Sequence, residues 1–305
     1  MRFAADLTDH TTIASIILGA VLGTLSWIET GQYADAETLF RSTIARNPDC
    51  WMAYQNLGTM HLNGSSADLE EAAANLRRSL DINPDNPEAL DSLGVAYQRS
   101  GRLQEAIAEY NGALRLDPAL VTAHTNLGAA WQTMGRAERA EAEYREALRL
   151  SPNASLAKRN LGTLLEAQNR LPEAAAEYEA ALAIDRNSAA IEYSLGHVLG
   201  RMGQAPQAIE HLQSAIRLDP HNALAHYNLG SVFQDLNRLD DAIAQYQDAI
   251  RAGPATAEMH NDLGTAFAGL GRIPEAIAEF REALRLKPDF PDARANLARA
   301  LSVGR

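Results

Sequence analysis

The sequence predicts an all-α protein, an α-solenoid of tandem helix–turn–helix repeats that ends in a C-terminal capping helix. The main observation is a Leu-Gly pair that recurs every 34 residues. It occupies Leu93-Gly94, Leu127-Gly128, Leu161-Gly162, Leu195-Gly196, Leu229-Gly230 and Leu263-Gly264. Apolar residues at helical spacing surround each pair. A fixed period of this length indicates a repeat array, in which each unit packs only on its neighbours.

One repeat, residues 87–120, shows why each unit is a helical hairpin. Leu90, Leu93 and Tyr97 fall on one face of a first helix. Gly101 ends that helix, because glycine adopts positive φ without a steric penalty. A second helical pattern follows and stops before Pro118, because proline cannot continue a helix and restricts the residue before it.

Small residues at fixed positions predict close contact between the two helices of each repeat. In each of these six Leu-Gly pairs, the glycine is matched by an alanine 12 residues further on. These alanines are Ala106, Ala140, Ala174, Ala208, Ala242 and Ala276, and the large residues beside them are Tyr110, Tyr144, Tyr178, Tyr246 and Phe280. Large side chains are expected to fill the space that the small ones leave.

The period divides the chain as follows. Residues 1–10 are expected to be disordered, 11–28 form an apolar helix, and 29–298 form the array. The repeats lie near 17–50, 51–86, 87–120, 121–154, 155–188, 189–222, 223–256 and 257–290, and residues 291–305 form a polar capping helix. Two extra residues in the second repeat fall within 61–68, where Asn63-Gly64 marks a turn.

Taken together, Leu-Gly, alanine, tyrosine or phenylalanine, alanine and proline at these offsets resemble the tetratricopeptide repeat family. The resemblance covers about residues 31–298. It implies a right-handed solenoid whose first helices line a concave inner wall, used as a scaffold for binding proteins. It does not imply an activity, because one fold serves many functions.

The segment 11–28 carries no charge over 18 residues and has three interpretations. A membrane anchor is favoured slightly; Trp27 would then lie at the interface, although a spanning helix usually needs about 20 apolar residues. A first repeat helix is the alternative, because Gly31, Ala36 and Phe40 keep the repeat offsets. A cleaved signal peptide fits less well. The corresponding localisations are a bacterial membrane or the cytoplasm.

The segment Trp27–Gly58 also resembles the junction in tetratricopeptide-containing, O-mannosyltransferase-like membrane proteins, where the last membrane helix runs into the repeats. The resemblance implies an alternative function, a substrate-recruiting arm of a membrane glycosyltransferase-like system. The catalytic membrane region of that group has no counterpart in this sequence, so no transferase activity is implied.

Composition and motifs argue against several function classes. A net charge of −12 argues against nucleic acid as the main partner. No catalytic constellation or phosphate-binding loop is found, so no enzyme activity and no cofactor are predicted. His124, His226 and His260 share one repeat position but lack a second ligand at i+3 or i+4, so no metal site is predicted.

The best candidate site is a ladder of asparagines, each one residue before a Leu-Gly or Leu-Ala pair. Its members are Asn56, Asn126, Asn160, Asn228 and Asn296. An amide offers a donor and an acceptor, so it can hold a peptide backbone. The repeat arrays of O-linked N-acetylglucosamine transferases, which this chain resembles at these positions, hold peptide in that way. Ser92, Ser194 and Asp262 interrupt the ladder, and the alternative is that the asparagines orient neighbouring helices.

Residues one or two turns further along the first helices are expected to tune specificity. They are Arg99, Gln132, Thr163, Arg201 and Gln234. Basic residues are sparse among them, which argues against a clamp for a C-terminal carboxylate. The predicted function is a non-enzymatic scaffold that binds an extended peptide or partner protein in a concave groove.

Overall fold

The structure, a computed structural model, describes residues 35–303, which form sixteen α-helices, one 3-10 helix (His61–Asn63) and no β-strand. The helices are α1 (Ala36–Arg46), α2 (Trp51–Met60), α3 (Ser66–Ile82), α4 (Pro87–Arg99), α5 (Leu103–Leu116), α6 (Val121–Thr133), α7 (Ala137–Leu150), α8 (Ser155–Ala167), α9 (Leu171–Ile184), α10 (Ala189–Arg201), α11 (Ala205–Leu218), α12 (Ala223–Asp235), α13 (Leu239–Ala252), α14 (Ala257–Gly269), α15 (Ile273–Leu286) and α16 (Pro291–Val303). The predicted class, an all-α solenoid of helical repeats, is confirmed.

None of the helices within residues 35–303 is both long and apolar enough to cross a membrane. The segment 11–28, for which the sequence leaves a membrane anchor, a first repeat helix and a cleaved signal peptide as alternatives, lies outside the described residues. The same holds for most of the predicted repeat at 17–50.

In the six repeats from 87 to 290, the turn between the two helices depends on a residue in the left-handed region of φ. Four of these turns use glycine, namely Gly101, Gly135, Gly203 and Gly271, with φ between 70° and 77°. Asn169 and Asn237 take the position in two other repeats, at φ of 59° and 56°. Asparagine tolerates this conformation better than most residues, which explains why these two turns keep their shape without glycine.

Several helices begin where a proline or a capping side chain satisfies the needs of the first turn. Pro87 lies in the first turn of α4, where its missing N–H would have had no intrahelical partner. Asn86 and Asn222 accept a hydrogen bond from the third backbone N–H of α4 and α12, respectively, at 3.0 Å. In the insertion at 61–68, Ser65 and Asp68 form a reciprocal capping box that starts α3.

In five of these Leu-Gly pairs, the glycine faces a large buried residue of the second helix; the glycines are Gly94, Gly162, Gly196, Gly230 and Gly264. A Cβ added to Gly94 would lie 2.5 Å from Cε1 of Tyr110, and one added to Gly230 would lie 2.7 Å from Cε1 of Tyr246. The matching alanines, such as Ala106, are completely buried. The prediction that small residues on one helix leave space for large residues on the other therefore describes the core of these repeats.

The structure divides into two compact units, unit 1 (Met1–Ala130) and unit 2 (Trp131–Arg305). In the described part of unit 1, the buried core includes Leu57, Leu76, Leu93 and Tyr110. In unit 2, one continuous hydrophobic cluster extends from Ala140 to Ala300, through helices α7 to α16. Within unit 1, α3 packs between α2 and α4, and within unit 2, α9, α11, α13 and α15 each pack between their own first helix and the next one. Inside each unit, neighbouring repeats therefore complete one another's core.

Candidate functional site

The candidate site is the face formed by the stacked first helices. In unit 1, α2 contacts α4, and in unit 2, α8 contacts α10, α10 contacts α12, α12 contacts α14, and α14 contacts α16. Inside either unit, no comparable contact joins the second helices of consecutive repeats among the described residues. Within each unit the first helices are therefore packed more closely, which places them on the inner side of the stack.

Three of the predicted asparagines bind the preceding first helix. The bonds run from Asn126 Nδ2 to Asp91 Oδ1 (2.9 Å), from Asn228 Nδ2 to the Tyr193 hydroxyl (3.3 Å) and from Asn296 Nδ2 to Asn261 Oδ1 (3.0 Å). At Asp262 the direction is reversed, because the Tyr227 hydroxyl donates to its Oδ2 at 2.6 Å. These positions therefore hold neighbouring helices together, and each bonded amide uses only one of its N–H groups for this purpose.

The other two asparagines differ from these three. Asn56 is exposed on α2, and Asn160 is half-buried on α8. Neither side chain forms a hydrogen bond with another residue in the range 35–303. The amide of Asn160 therefore keeps its donors and its acceptor available to a ligand on the inner face of unit 2.

Gln132 and Gln234, two of the predicted specificity residues, each accept a hydrogen bond from a tyrosine. This pairing recurs along the chain and was not predicted from the sequence. In four repeats, a tyrosine hydroxyl on the second helix donates to an amide or carboxylate oxygen 12 residues earlier. The pairs are Tyr110–Gln98 (2.8 Å), Tyr144–Gln132 (2.8 Å), Tyr178–Glu166 (3.0 Å) and Tyr246–Gln234 (3.2 Å). In two further repeats both positions change. Leu212 and Phe280 replace the tyrosine, and Gly200 and Ala268 replace the acceptor, so the hydroxyl and its acceptor are lost together.

The remaining specificity candidates are exposed and also contact neighbouring elements. Arg99 donates from Nη1 to the carbonyl oxygen of Leu62 at 2.8 Å. Thr163 accepts the Tyr178 hydroxyl at 3.1 Å. Arg201 donates from Nη2 to Asn169 Oδ1 at 2.9 Å, and its Nη1 lies 3.5 Å from Glu166 Oε1.

His226 and His260 each link the two helices of their own repeat. His226 Nδ1 lies 2.9 Å from Gln245 Oε1, and His260 Nδ1 lies 2.6 Å from Glu279 Oε2. In the preceding repeat the residue types are exchanged, because Glu192 on the first helix contacts His211 on the second at 2.6 Å. No group of three or more metal-binding side chains occurs in the described part of the chain.

A cleft of about 160 Å³ lies between α10 and α12. It brings together two residues from the two predicted sets, Arg201 and Asn228. Asp235 also lines it, and Leu212 and Val232 contribute apolar walls. The cleft therefore combines hydrogen-bonding groups with an apolar surface, as ligand sites on proteins commonly do.

A larger cleft of about 400 Å³ lies between α14, α15 and α16. Phe280, Ile273 and Ala300 contribute apolar lining, while Asn296 and Arg299 supply polar groups. Asn296 is thus the predicted ladder residue that reaches this second cleft.

The buried Asp91–Asn126 bond yields a pH-dependent prediction. Burial raises the pKa of the Asp91 carboxyl above its ordinary value of 3.8, against the opposing hydrogen bonds from Asn126 and Thr122. The folded state therefore holds this proton more tightly than the unfolded chain. The stabilisation that results is fully present below pH 3.8 and is lost as the pH rises through the folded-state pKa.

The variant Asp91→Asn is therefore expected to be more stable than the parent at pH 7, because an amide oxygen still accepts from Asn126 and carries no charge to desolvate. The difference in free energy of unfolding should shrink as the pH falls towards 3.8. Urea titrations of both proteins at several pH values measure this difference in free energy of unfolding. A variant that is less stable by the same amount at every pH would contradict the prediction.

The fold is similar to those of solved repeat proteins. The Cut9–Hcn1 hetero-tetramer of the APC/C gives a TM-score of 0.67 at 19% identity over 94% of this chain, which spans about half (52%) of that chain. PilF of Pseudomonas aeruginosa gives a TM-score of 0.64 at 21% identity, with 71% of this chain and 98% of PilF covered. YrrB, described as a TPR protein with an unusual peptide-binding site, gives 0.54 at 24% identity, with 61% and 96% covered. No curated protein matches the sequence.

Two family models match the sequence. The model described as tetratricopeptide repeat matches residues 28–68, 128–189, 193–257 and 230–289, and a second, described as TPR repeat, matches 67–101 and 99–135. The likeness of Trp27–Gly58 to the O-mannosyltransferase-like group is not shown by these matches. Repeats of this type typically form non-enzymatic scaffolds for protein–protein interaction. Because the first model covers more than half of the sequence, the chain belongs to the tetratricopeptide repeat family.

Proposed function

We propose that this protein is a non-enzymatic scaffold that binds an extended segment of a partner protein along the inner face of unit 2. The cleft between α10 and α12 carries the proposal, because its lining includes Arg201 and Asn228 and is neither wholly apolar nor wholly polar. Attachment to a bacterial membrane through residues 11–28 is a separate proposal, which rests on the uncharged composition of that segment.

An extended peptide fits the spacing of the first helices. Helices pack about 10 Å apart, and an extended chain advances about 3.3 Å per residue. Every third peptide residue would therefore meet a new first helix. The open amide of Asn160 can donate to a peptide carbonyl and accept from a peptide N–H at the same time.

A matched pair of substitutions tests this proposal. Asn160→Ala removes the open amide on the inner face, and Gln247→Ala removes an exposed amide from the second helix α13. Peptides of 12 residues would be selected from a random phage-displayed library on the full chain and measured by fluorescence anisotropy. We expect Asn160→Ala to weaken binding about 30-fold, since two neutral hydrogen bonds contribute about 1 kcal/mol each.

The control variant should bind as the parent does, and both variants should keep the parent melting temperature, because neither amide is bonded within the described part of the chain. Failure to select any peptide, or equal affinity for the parent and Asn160→Ala, would contradict the proposal.

A further inference from the structure

We infer that unit 2 selects its partner through two side-chain clefts, one for an arginine or lysine and one for a large apolar residue about six positions away. This inference rests on the proposed function and specifies its ligand. The first cleft is the one between α10 and α12, and the second is the one between α14, α15 and α16.

Both clefts occur where the tyrosine–acceptor pair is missing. Gly200 and Leu212 line the first cleft, at positions held by glutamine or glutamate and by tyrosine in other repeats. Ala268 and Phe280 line the second cleft at the same two positions. In the four repeats that keep the pair, its two side chains lie at these positions, so the joint loss of both groups opens a space beside the inner face.

The charges around the first cleft favour a cation. Asp235 is exposed and forms no ion pair within residues 35–303. The guanidinium of Arg201 is already matched by Glu166 at 3.5 Å. Burial lowers the pKa of His197, which keeps that imidazole neutral at pH 7 despite the attraction of Glu166. The one unmatched charge in the lining is therefore negative.

The shape of the first cleft fits a long basic side chain. Its aliphatic stem would pack on Leu212 and Val232, and its charged end would reach Asp235. The carbonyl oxygen of Asn228 is a second acceptor beside it, because only its N–H is used towards Tyr193. The net charge of −12 adds a long-range attraction for a basic partner.

The second cleft fits a large apolar side chain. Its volume of about 400 Å³ and its apolar lining by Phe280, Ile273 and Ala300 match an aromatic or leucine residue. Its charged lining residue is Arg299, whose guanidinium is exposed and forms no ion pair within the described residues. A cation would be repelled, so the two clefts differ in preference.

Their separation predicts the spacing of the two residues in the partner. The clefts lie two repeats apart within unit 2, which corresponds to about 20 Å at about 10 Å per packed helix. An extended chain covers that distance in about six residues at about 3.3 Å each.

Two double variants fill the clefts with side chains that other repeats carry at the same two positions. Gly200→Gln/Leu212→Tyr fills the first cleft, and Ala268→Gln/Phe280→Tyr fills the second. Each recreates the pair seen at Gln234 and Tyr246, so we expect the parent helical content and melting behaviour. The probe is a phage-displayed random library of 12-residue peptides selected on the full chain.

Peptides selected on the parent should carry arginine or lysine and, about six positions away, a large apolar residue. Filling the first cleft should abolish enrichment of the basic residue and weaken parent-selected peptides about tenfold or more. Filling the second should abolish enrichment of the apolar residue only. Asp235→Asn should weaken the same peptides, whereas Asp240→Asn on the exposed part of α13 should not.

Peptides that lack the basic–apolar pair, or that bind both filled variants as tightly as the parent, would overturn the inference. If such peptides still lost affinity with Asn160→Ala, the inner-face function would stand and only the two-cleft inference would fall. If no peptide could be selected at all, both would fall.

Discussion

The variant Leu161→Ala is expected to lower the free energy of unfolding by about 2–5 kcal/mol. Leu161 belongs to the Leu-Gly pair of α8 and is only 3% exposed. It lies in the hydrophobic cluster that runs through unit 2, where the first helix of one repeat contacts the second helices on either side. Truncation removes buried apolar surface and leaves a cavity that close-packed neighbours can fill only in part.

Leu156→Ala provides the matched control in the same helix. Leu156 is 49% exposed, so its truncation should change the free energy of unfolding by no more than about 0.5 kcal/mol. Urea unfolding followed by far-ultraviolet circular dichroism compares the two variants with the parent. Repeats are coupled mainly to their neighbours, so the loss in Leu161→Ala can appear as earlier melting of adjacent repeats as well as a lower midpoint. Equal midpoints for the two variants would show that Leu161 is not a core residue.

The fold class could be predicted from the sequence because its determinants are local and repeated. Gly94 and Tyr110 lie within one hairpin, and the same arrangement recurs at Gly162 with Tyr178. The breaks at Gly101 and Gly135 also depend only on the local backbone. When several repeats give the same answer, errors at single positions do not change the prediction.

The roles of the candidate residues could be predicted only in part, because they depend on contacts between repeats. The bond from Asn126 to Asp91 joins residues 35 positions apart. A side-chain amide before Leu-Gly suits peptide binding and helix–helix contact equally well, and only the packed helices show which partners are within reach. Asn160 then stands apart as the described inner-face asparagine of unit 2 without such a bond.

The tyrosine–acceptor pairs leave a recognisable pattern in the sequence. Tyrosine and glutamine or glutamate occur together at two positions 12 residues apart, and both change together at Gly200 with Leu212. The pattern becomes interpretable once the tyrosine hydroxyl is seen to donate to the earlier residue, as Tyr144 does to Gln132 at 2.8 Å. The two repeats that lack the pair are then the most informative, because the residues at these positions line the two clefts.

The variant Gly94→Ala is expected to lower the free energy of unfolding by about 1–3 kcal/mol, even though alanine is the better helix former. Its Cβ would lie 2.5 Å from Cε1 and 2.7 Å from Cδ1 of Tyr110. That ring is completely buried and its hydroxyl is held by Gln98, so it cannot move aside without losing packing and a hydrogen bond. Steric conflict therefore outweighs the gain in helix propensity.

Gly112→Ala, in the second helix of the same repeat, is expected to have the opposite effect. Its Cβ would lie 3.5 Å from the nearest atom outside its own backbone, Cδ1 of Leu90, which is ordinary van der Waals contact. Without a clash, alanine should stabilise α5 by about 0.5–1 kcal/mol through its lower backbone entropy. Urea midpoints should therefore move in opposite directions in the two variants. If both rose, close packing against Tyr110 would not be the reason for glycine in the Leu-Gly pair; if both fell, the space around Gly112 would be tighter than its contacts indicate.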